Sequence, residues 1–430
     1  MNLTEEMTAL AERAKKAARV LATLTTEEKN ACLEAMAKAI EDNKSAIQEA
    51  NRKDMEAARD MGLSAAMLDR LELTDKRVAG MAQGLREVAA LPDPIGRVIE
   101  ERNRPSGLRL RKISCPIGVI VIIYESRPNV TADAAGLCFK SGNVTVLRGG
   151  KEAIHSNHII GKTMVEAAKA ACDRFPEHAV QVVETTDRAA IKEILSLTGL
   201  VDLCIPRGGE GLIRAVSECS RVPVIKHYKG VCHVYVDHHA DLEMASRIVH
   251  NAKLQRPGVC NAMETLLVDE TAAGRFLPMI AASLTKAGTE LRLDERSRSH
   301  AAGFIESNEH PHLIKSATEQ DWDEEYLEKI LAVKVVDGVD GAIEHINKYG
   351  SSHSESIITS DEATALRFLN EVDASAVYWN TSTRFTDGGM FGMGAEIGIS
   401  TDKIGARGPM GLEELTTYKW IGTGDGLIVA

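Results

Sequence analysis

The sequence predicts an α/β protein built from two parallel-sheet domains and a small β element. Three observations carry that expectation. Short apolar runs alternate with helical stretches twice, between about 117 and 236 and again between about 264 and 380. Two of the apolar runs end in glycine-rich turns that lead into helices. The segments 97–114 and 418–429 break the rhythm and read as extended arms. A β-α-β-α order is the signature of a doubly wound parallel sheet, whose strands are buried on both faces and therefore continuously apolar.

Taken in order, residues 1–60 are helical. Thr25 and Glu28 form a capping box, and Leu33, Met36, Ala37, Ile40 and Ile47 recur with helical period. A second helical stretch around 75–90 stops at Leu91-Pro92-Asp93-Pro94. Two polar arms then flank the turn Asn103-Arg104-Pro105-Ser106-Gly107, and a hairpin polar on both faces invites pairing with another subunit. The first set of strands is expected from Ile117 to Ile123, Val144 to Leu147, Val180 to Val183 and Val201 to Ile205, with further strands near Val222 and from Val231 to Val236. The second set follows at 264–268, Ala332–Val336, Glu355–Thr359 and Ala376–Asn380.

The chain of 430 residues is long enough for two or three full cores. A net charge of −11 excludes a binder of nucleic-acid backbones, which needs a basic footprint. No apolar run approaches the roughly 20 residues of a membrane span. The first residues lack the basic-then-apolar pattern of a secretory signal. Eight scattered cysteines with no CxxC pair fit reduced thiols and a cytoplasmic setting.

Seven of those cysteines fall where a small buried side chain is expected. Cys260 differs. It sits in Gln255-Arg256-Pro257-Gly258-Val259-Cys260-Asn261-Ala262, between a helix and a strand, in a loop that proline and glycine force. Such a loop presents a sulfur with backbone amides beside it, the arrangement of a nucleophile. The strand ends at Arg148-Gly149-Gly150-Lys151 and Pro206-Arg207-Gly208-Gly209 pair glycines with cations and open into helices. Each alone is a tight βα connection; together they suggest a phosphorylated cofactor held at helix N-termini, without the GxGxxG spacing. His238-His239 and His310-Pro311-His312 lack any metal-ligand spacing, so no metal is expected.

Several segments together resemble the aldehyde dehydrogenase superfamily. They are Tyr124-Glu125-Ser126-Arg127-Pro128-Asn129-Val130-Thr131, Leu147-Arg148-Gly149-Gly150-Lys151-Glu152, the Cys260 loop, Trp379-Asn380-Thr381-Ser382-Thr383-Arg384-Phe385, Gly394-Ala395-Glu396-Ile397-Gly398-Ile399-Ser400-Thr401, and Arg407-Gly408-Pro409 with Gly411-Leu412. The resemblance implies a variant Rossmann nucleotide-binding domain (1–96 and 115–238), a catalytic domain (239–410) and an oligomerisation element (97–114 and 411–430). Within the superfamily the similarity is to the branch acting on acyl phosphates. It implies NADPH-dependent reduction of L-glutamate 5-phosphate to L-glutamate 5-semialdehyde in proline biosynthesis, with a homo-oligomer and a transient glutamate 5-kinase partner.

On that reading Cys260 attacks the acyl carbon, and Asn129 is an oxyanion donor or a helix N-cap. Arg148, Gly149, Lys151, Arg207, Gly208 and Gly209 hold the cofactor. Arg127, Lys226 and Arg256 meet the substrate phosphate; Asn380, Ser382, Arg384 and Glu396 meet its amino-acid head. Two departures from the family pattern refine the expectation. The stretch Val224-Ile225-Lys226-His227-Tyr228-Lys229-Gly230-Val231 has no carboxylate where aldehyde-oxidising relatives place a general base, so water is not activated against the thioester. Lys151 stands where NAD-preferring relatives carry a ribose-binding glutamate, which favours a 2′-phosphate. The competing readings are an aldehyde-oxidising dehydrogenase on the same fold and a catalytically silent binding protein.

Overall fold

The computed structural model describes residues 2–429 and divides the chain into two compact units. The first comprises Met1–Lys226, Gly392–Gly398 and Met410–Ala430; the second comprises His227–Phe391 and Ile399–Pro409. No helix among the described residues is long and apolar enough to cross a membrane.

The first unit begins with helices Leu3–Leu21, Thr26–Asp42, Lys44–Asp60, Ala65–Leu71 and Asp75–Ala90. The expected capping box is present: Glu28 N–H donates to Thr25 Oγ1 at 3.2 Å, and Thr25 N–H donates to Glu28 Oε2 at 2.8 Å. The polar arms form an antiparallel pair, β1 (Val98–Asn103) and β2 (Arg109–Pro116), and the tail strand Thr416–Thr423 pairs along the other side of β2. Cations cover the aromatic rings of this small sheet, with Lys112 Nζ 3.7 Å from the Tyr418 ring centroid.

Four parallel strands form the main sheet of this unit: β3 (Val119–Tyr124), β4 (Val144–Arg148), β5 (Val180–Val182) and β6 (Leu203–Arg207), in the order β5-β4-β3-β6. All six residues of β3 are buried, as its unbroken apolar run requires. The chain winds outward from β3 through β4 and β5, then crosses to β6. The direction therefore reverses between β3 and β6, and a ligand crevice is expected at their carboxyl ends.

The second unit holds seven parallel strands in the order β10-β9-β11-β8-β7-β12-β13. They are β7 (Cys232–Val236), β8 (Met263–Asp269), β9 (Glu290–Leu293), β10 (Ile314–Ser316), β11 (Ile330–Val336), β12 (Ser354–Ile358) and β13 (Ala376–Trp379). This corrects two expectations. The strand at 231–236 was assigned to the first domain, but it lies between β8 and β12 in the second sheet, so residues 227–238 change domain and 392–398 return to the first. Near Val222 there is only an isolated bridge between Cys204 and Val224. An apolar strand buried on both faces suits either sheet, so its sequence does not say which one it joins.

Candidate active site

Cys260 lies where the sequence placed it, in the turn between helix Leu242–Leu254 and β8, and it is half-buried. The turn is fixed through its backbone. Ala262 N–H donates to Val259 O, the Thr383 hydroxyl donates to Asn261 O, Asn261 Nδ2 donates to Thr386 O, and the Cys232 thiol donates to Cys260 O at 3.2 Å. Gly230 packs so closely that a Cβ there would lie 2.0 Å from Cys260 O and 2.7 Å from Cys260 Cα. Only glycine permits that approach. The structural contribution of Gly230 was not foreseen, because a glycine 30 residues upstream carries no local sign of what passes beside it.

The thiol stands at the amino-terminal edge of its sheet, since Cys260 precedes β8, His227 precedes β7 and His353 precedes β12 in parallel strands. The usual expectation for α/β sheets is a ligand beyond the carboxyl ends. The preceding helix presents its carbonyl end toward the loop, which gives a thiolate no help. Positive charge comes from arginines. Burial, then the neighbouring Arg256 guanidinium, lowers Arg384 from the usual arginine value, while Asp387 and the thiols of Cys260 and Cys232 act the other way. Arg384 and the Cys260 thiol thus act on one another electrostatically, and Arg256 acts on Arg384.

Two histidines join them. One nitrogen of His227 and one of His353 lie within 4.8 Å of each other and of Cys260 Sγ. His227 Nδ1 is 2.9 Å from Ile399 O, and His353 Nδ1 is 2.8 Å from the Ser354 hydroxyl. Burial, aided by the charge of His227, pushes His353 down to about 3. This is the Cys/His cluster that spacing did not reveal: the three residues are 33 and 93 positions apart in the chain and only strand order brings them together. Below them the sheet is polar. Lys253 Nζ and Glu264 Oε2 are 2.5 Å apart with no side-chain exposure, and His233 Nδ1 and Glu355 Oε2 are 2.9 Å apart, equally buried. Glu264 is closed into its ion pair, and burial raises it to about 7.

In the polar segment after β13, Asn380 and Ser382 shape the backbone. Asn380 has φ of +55°, and its amide engages the Thr359 backbone on both sides: Thr359 N–H donates to Oδ1 and Nδ2 donates to Thr359 O. It reverses the chain. The strand then runs back along β12, with the Ser356 hydroxyl donating to Thr381 O and Ser354 Oγ 2.6 Å from Thr386 Oγ1. Ser382 is buried and accepts from Arg384 N–H. The two residues deliver Thr383 and Arg384 to the Cys260 loop, and Arg384 Nε is tied to Gln255 Oε1 at 2.9 Å.

In the first unit the carboxyl edge of the sheet is largely occupied by its own side chains. Arg148 is buried and donates to the carbonyls of Gly149 and Thr186, so it braces the turn and is not a free cation. Gly149 is needed because a Cβ would lie 2.0 Å from Asn157 Nδ2, and Gly208 because a Cβ would lie 2.4 Å from Glu125 Oε2. Gly209 faces open space and caps helix Glu210–Cys219, and its N–H donates to Glu125 Oε2 at 3.1 Å. Lys151 is exposed, as is Arg188, whose charge also acts on Arg148; Arg188 was missed because it lies in the turn after β5 with no glycines beside it.

Asn129 is the first residue of helix Asn129–Lys140, and its side chain makes no cap; Nδ2 donates to Asp133 Oδ2 at 2.9 Å. Burial pushes Asp133 up to about 6, against the Asn129 hydrogen bond and the charge of Arg207. The Arg207 guanidinium lies over Gly398, at 2.6 Å from where a Cβ would be, and its charge acts on Asp133. Arg127 is exposed in the turn after β3, and Glu396 lies in the 392–398 segment of the first unit.

A loop-borne thiol in one parallel α/β unit and a second parallel sheet with a topological switch point place the chain in a class of two-sheet α/β oxidoreductases. The aldehyde dehydrogenase family model matches residues 3–320 and 310–421, and the chain belongs to that family. Among curated relatives, the γ-glutamyl phosphate reductase of Moorella thermoacetica is 54% identical over 428 residues, covering 100% of both chains. That of Aquifex aeolicus is 53% identical, covering 100% of this chain and 97% of its own. The solved γ-glutamyl phosphate reductase of Thermotoga maritima superposes with a TM-score of 0.94 at 46% identity, covering 99% of this chain and 100% of that one. An acetylating aldehyde dehydrogenase from Geobacillus thermoglucosidasius, 20% identical with a TM-score of 0.67, shares the fold.

Proposed function

We propose that the protein reduces L-glutamate 5-phosphate to L-glutamate 5-semialdehyde with NADPH, releasing phosphate. The observation that carries the reading is a half-buried thiol that acts electrostatically on Arg384, itself acted on by Arg256, on a scaffold whose full-length relatives carry the name γ-glutamyl phosphate reductase. The Cys260 sulfur attacks the acyl carbon; the carbon–oxygen bond to phosphate breaks and a thioester remains. The leaving phosphate is a stable anion, so the step needs cations and no strong acid. Arg256 and Arg384 supply that charge. The residues present suit a phosphorylated nicotinamide cofactor: Lys151 and Arg188 are exposed cations, and a Cβ at Gly209, which caps helix Glu210–Cys219, would meet nothing within 4 Å. When bound there, NADPH would supply the hydride equivalent for reduction of the thioester. Asn129, the oxyanion donor of the family pattern, gives only one of its two amide hydrogens to Asp133. The stretch 224–231 offers no carboxylate to activate water, which protects the thioester from hydrolysis.

The β1–β2–tail sheet supports a homo-oligomer as part of this reading. Both its outer strands have an open edge, and Val98, Ile99, Tyr418 and Trp420 are exposed.

The test runs the reaction in reverse, following NADPH formed from glutamate semialdehyde and NADP with and without inorganic phosphate. The expected result is strict phosphate dependence. Equal rates without phosphate, with glutamate as product, would establish the aldehyde-oxidising alternative.

A further inference from the structure

We propose that Cys260, His227 and His353 form a capture site for a borderline divalent cation, zinc above all, and that its binding silences the thiol. The donor set is the first ground. A thiolate sulfur and two imidazole nitrogens select zinc over magnesium or calcium, which take oxygen ligands. Zinc–nitrogen bonds of about 2.0–2.1 Å and a zinc–sulfur bond of about 2.3 Å place tetrahedral ligands roughly 3.4–3.6 Å apart. The three atoms already lie within 4.8 Å of one another, so small side-chain rotations complete the geometry.

The second ground is how the rings are held. His227 Nδ1 faces a backbone carbonyl, which only accepts, so Nδ1 carries the hydrogen. A carbonyl that fixes one ring nitrogen and so sets the orientation of the imidazole is the support found behind metal-bound histidines. His353 is fully buried; its Nδ1 meets the Ser354 hydroxyl and its Nε2 has no hydrogen-bond partner. A buried ring nitrogen without a partner is costly unless a ligand completes it.

The backbone contacts that hold Cys260 also favour the site. Gly230 and Cys232 fix the loop from one side, and Thr383 from the other, so the sulfur is already placed when the cation arrives. Binding replaces the thiol hydrogen: the sulfur–hydrogen bond breaks, a sulfur–zinc bond forms, and the proton leaves to solvent. Two imidazoles and one thiolate leave a fourth position for water. By contrast, the cluster Asp237, His238 and His239 is a poor competitor. Both Asp237 oxygens already accept hydrogen bonds, from Tyr235, from His239 N–H and from the Thr359 hydroxyl.

That zinc silences the enzyme rests on Cys260 being the nucleophile; that zinc binds does not, and the experiment separates the two. Zinc binding to the full-length protein is measured by competition with a chromophoric chelator, and cobalt substitution is read as a thiolate-to-cobalt charge-transfer band. Activity is followed in parallel at the same buffered free zinc. One equivalent should bind, with the charge-transfer band present, and turnover should fall in step and return on adding chelator. His227→Asn and His353→Asn should each weaken binding by at least about tenfold, and Cys260→Ser should abolish the band. His227 is only half-buried, so its variant gives a reading even if the His353 substitution impairs folding. Absence of the band, or affinity unchanged in His227→Asn, would overturn the site. Full binding with turnover intact would overturn the role of Cys260.

Discussion

The amino edge of the second sheet and the carboxyl edge of the first are both lined with polar residues, yet they use them in opposite ways. Around Cys260 the backbone carries the restraints. Gly230, Cys232, Thr383 and Thr386 hold main-chain or amide atoms of the loop and leave the thiol presented. Around β3, β4 and β6 the side chains restrain one another. Arg148 braces carbonyls, Glu125 accepts the Gly209 N–H, and Glu152 accepts from both Ser126 N–H and the Ser126 hydroxyl at 2.8 Å. A polar residue at a loaded strand end is therefore as often part of the loop's frame as part of its chemistry.

The sharpest way to break that comparison is Cys260→Ala. If the frame exists to present the sulfur, kcat falls by at least about a thousandfold while circular dichroism and the thermal midpoint stay near wild type. Retained turnover would reduce the loop to packing.

Next come two glycines that look alike in the sequence. Gly230→Ala puts a Cβ 2.0 Å from the Cys260 carbonyl and displaces the loop, with a loss in kcat of about a hundredfold; Gly303→Ala meets nothing within 4 Å and should leave turnover within about twofold. Steady-state kinetics of the pair decides whether backbone restraint is concentrated at the thiol.

Smaller effects separate the two cations at the end of β4. Lys151→Glu should lower the kcat/KM preference for NADPH over NADH by roughly tenfold, equivalent to about 1.4 kcal/mol, with little change in stability. Arg148→Ala should instead lower stability by about 1–3 kcal/mol, because carbonyls lose their donors. Were Arg148→Ala to change cofactor preference alone, its assignment to the frame would fail.

The mildest test concerns the buried polar layer of the second unit. His345, packed against Trp322, Tyr349, His233 and Lys334, is pushed down to about 2, mainly by burial. Its native pKa lies below its unfolded value, so between pH 2 and 6.5 the unfolded chain binds a proton the fold refuses. The stability it contributes is full above pH 6.5 and declines as pH falls. Glu264 has the opposite sign between pH 4.5 and 7, so the quantity to read is a difference. Denaturant unfolding of His345→Gln at pH 7.0 and 5.5 should show a pH slope shallower than wild type by up to about 1.4 kcal/mol per pH unit. An identical slope would mean that His345 is protonated in the fold.

What the sequence alone determined is local. Alternating apolar runs and helices follow from backbone periodicity; the Thr25–Glu28 box and the Pro257–Gly258 turn follow from residues a few positions apart, so both were legible. The missing carboxylate at 224–231 was legible for the same reason. Only the tertiary structure decided which sheet received residues 232–236, because burial on two faces looks the same in either. It alone made Asn380 a chain reversal, and brought His227 and His353 to the sulfur. Those outcomes depend on the order in which parallel strands lie side by side, a non-local choice to which no run of neighbouring residues is sensitive.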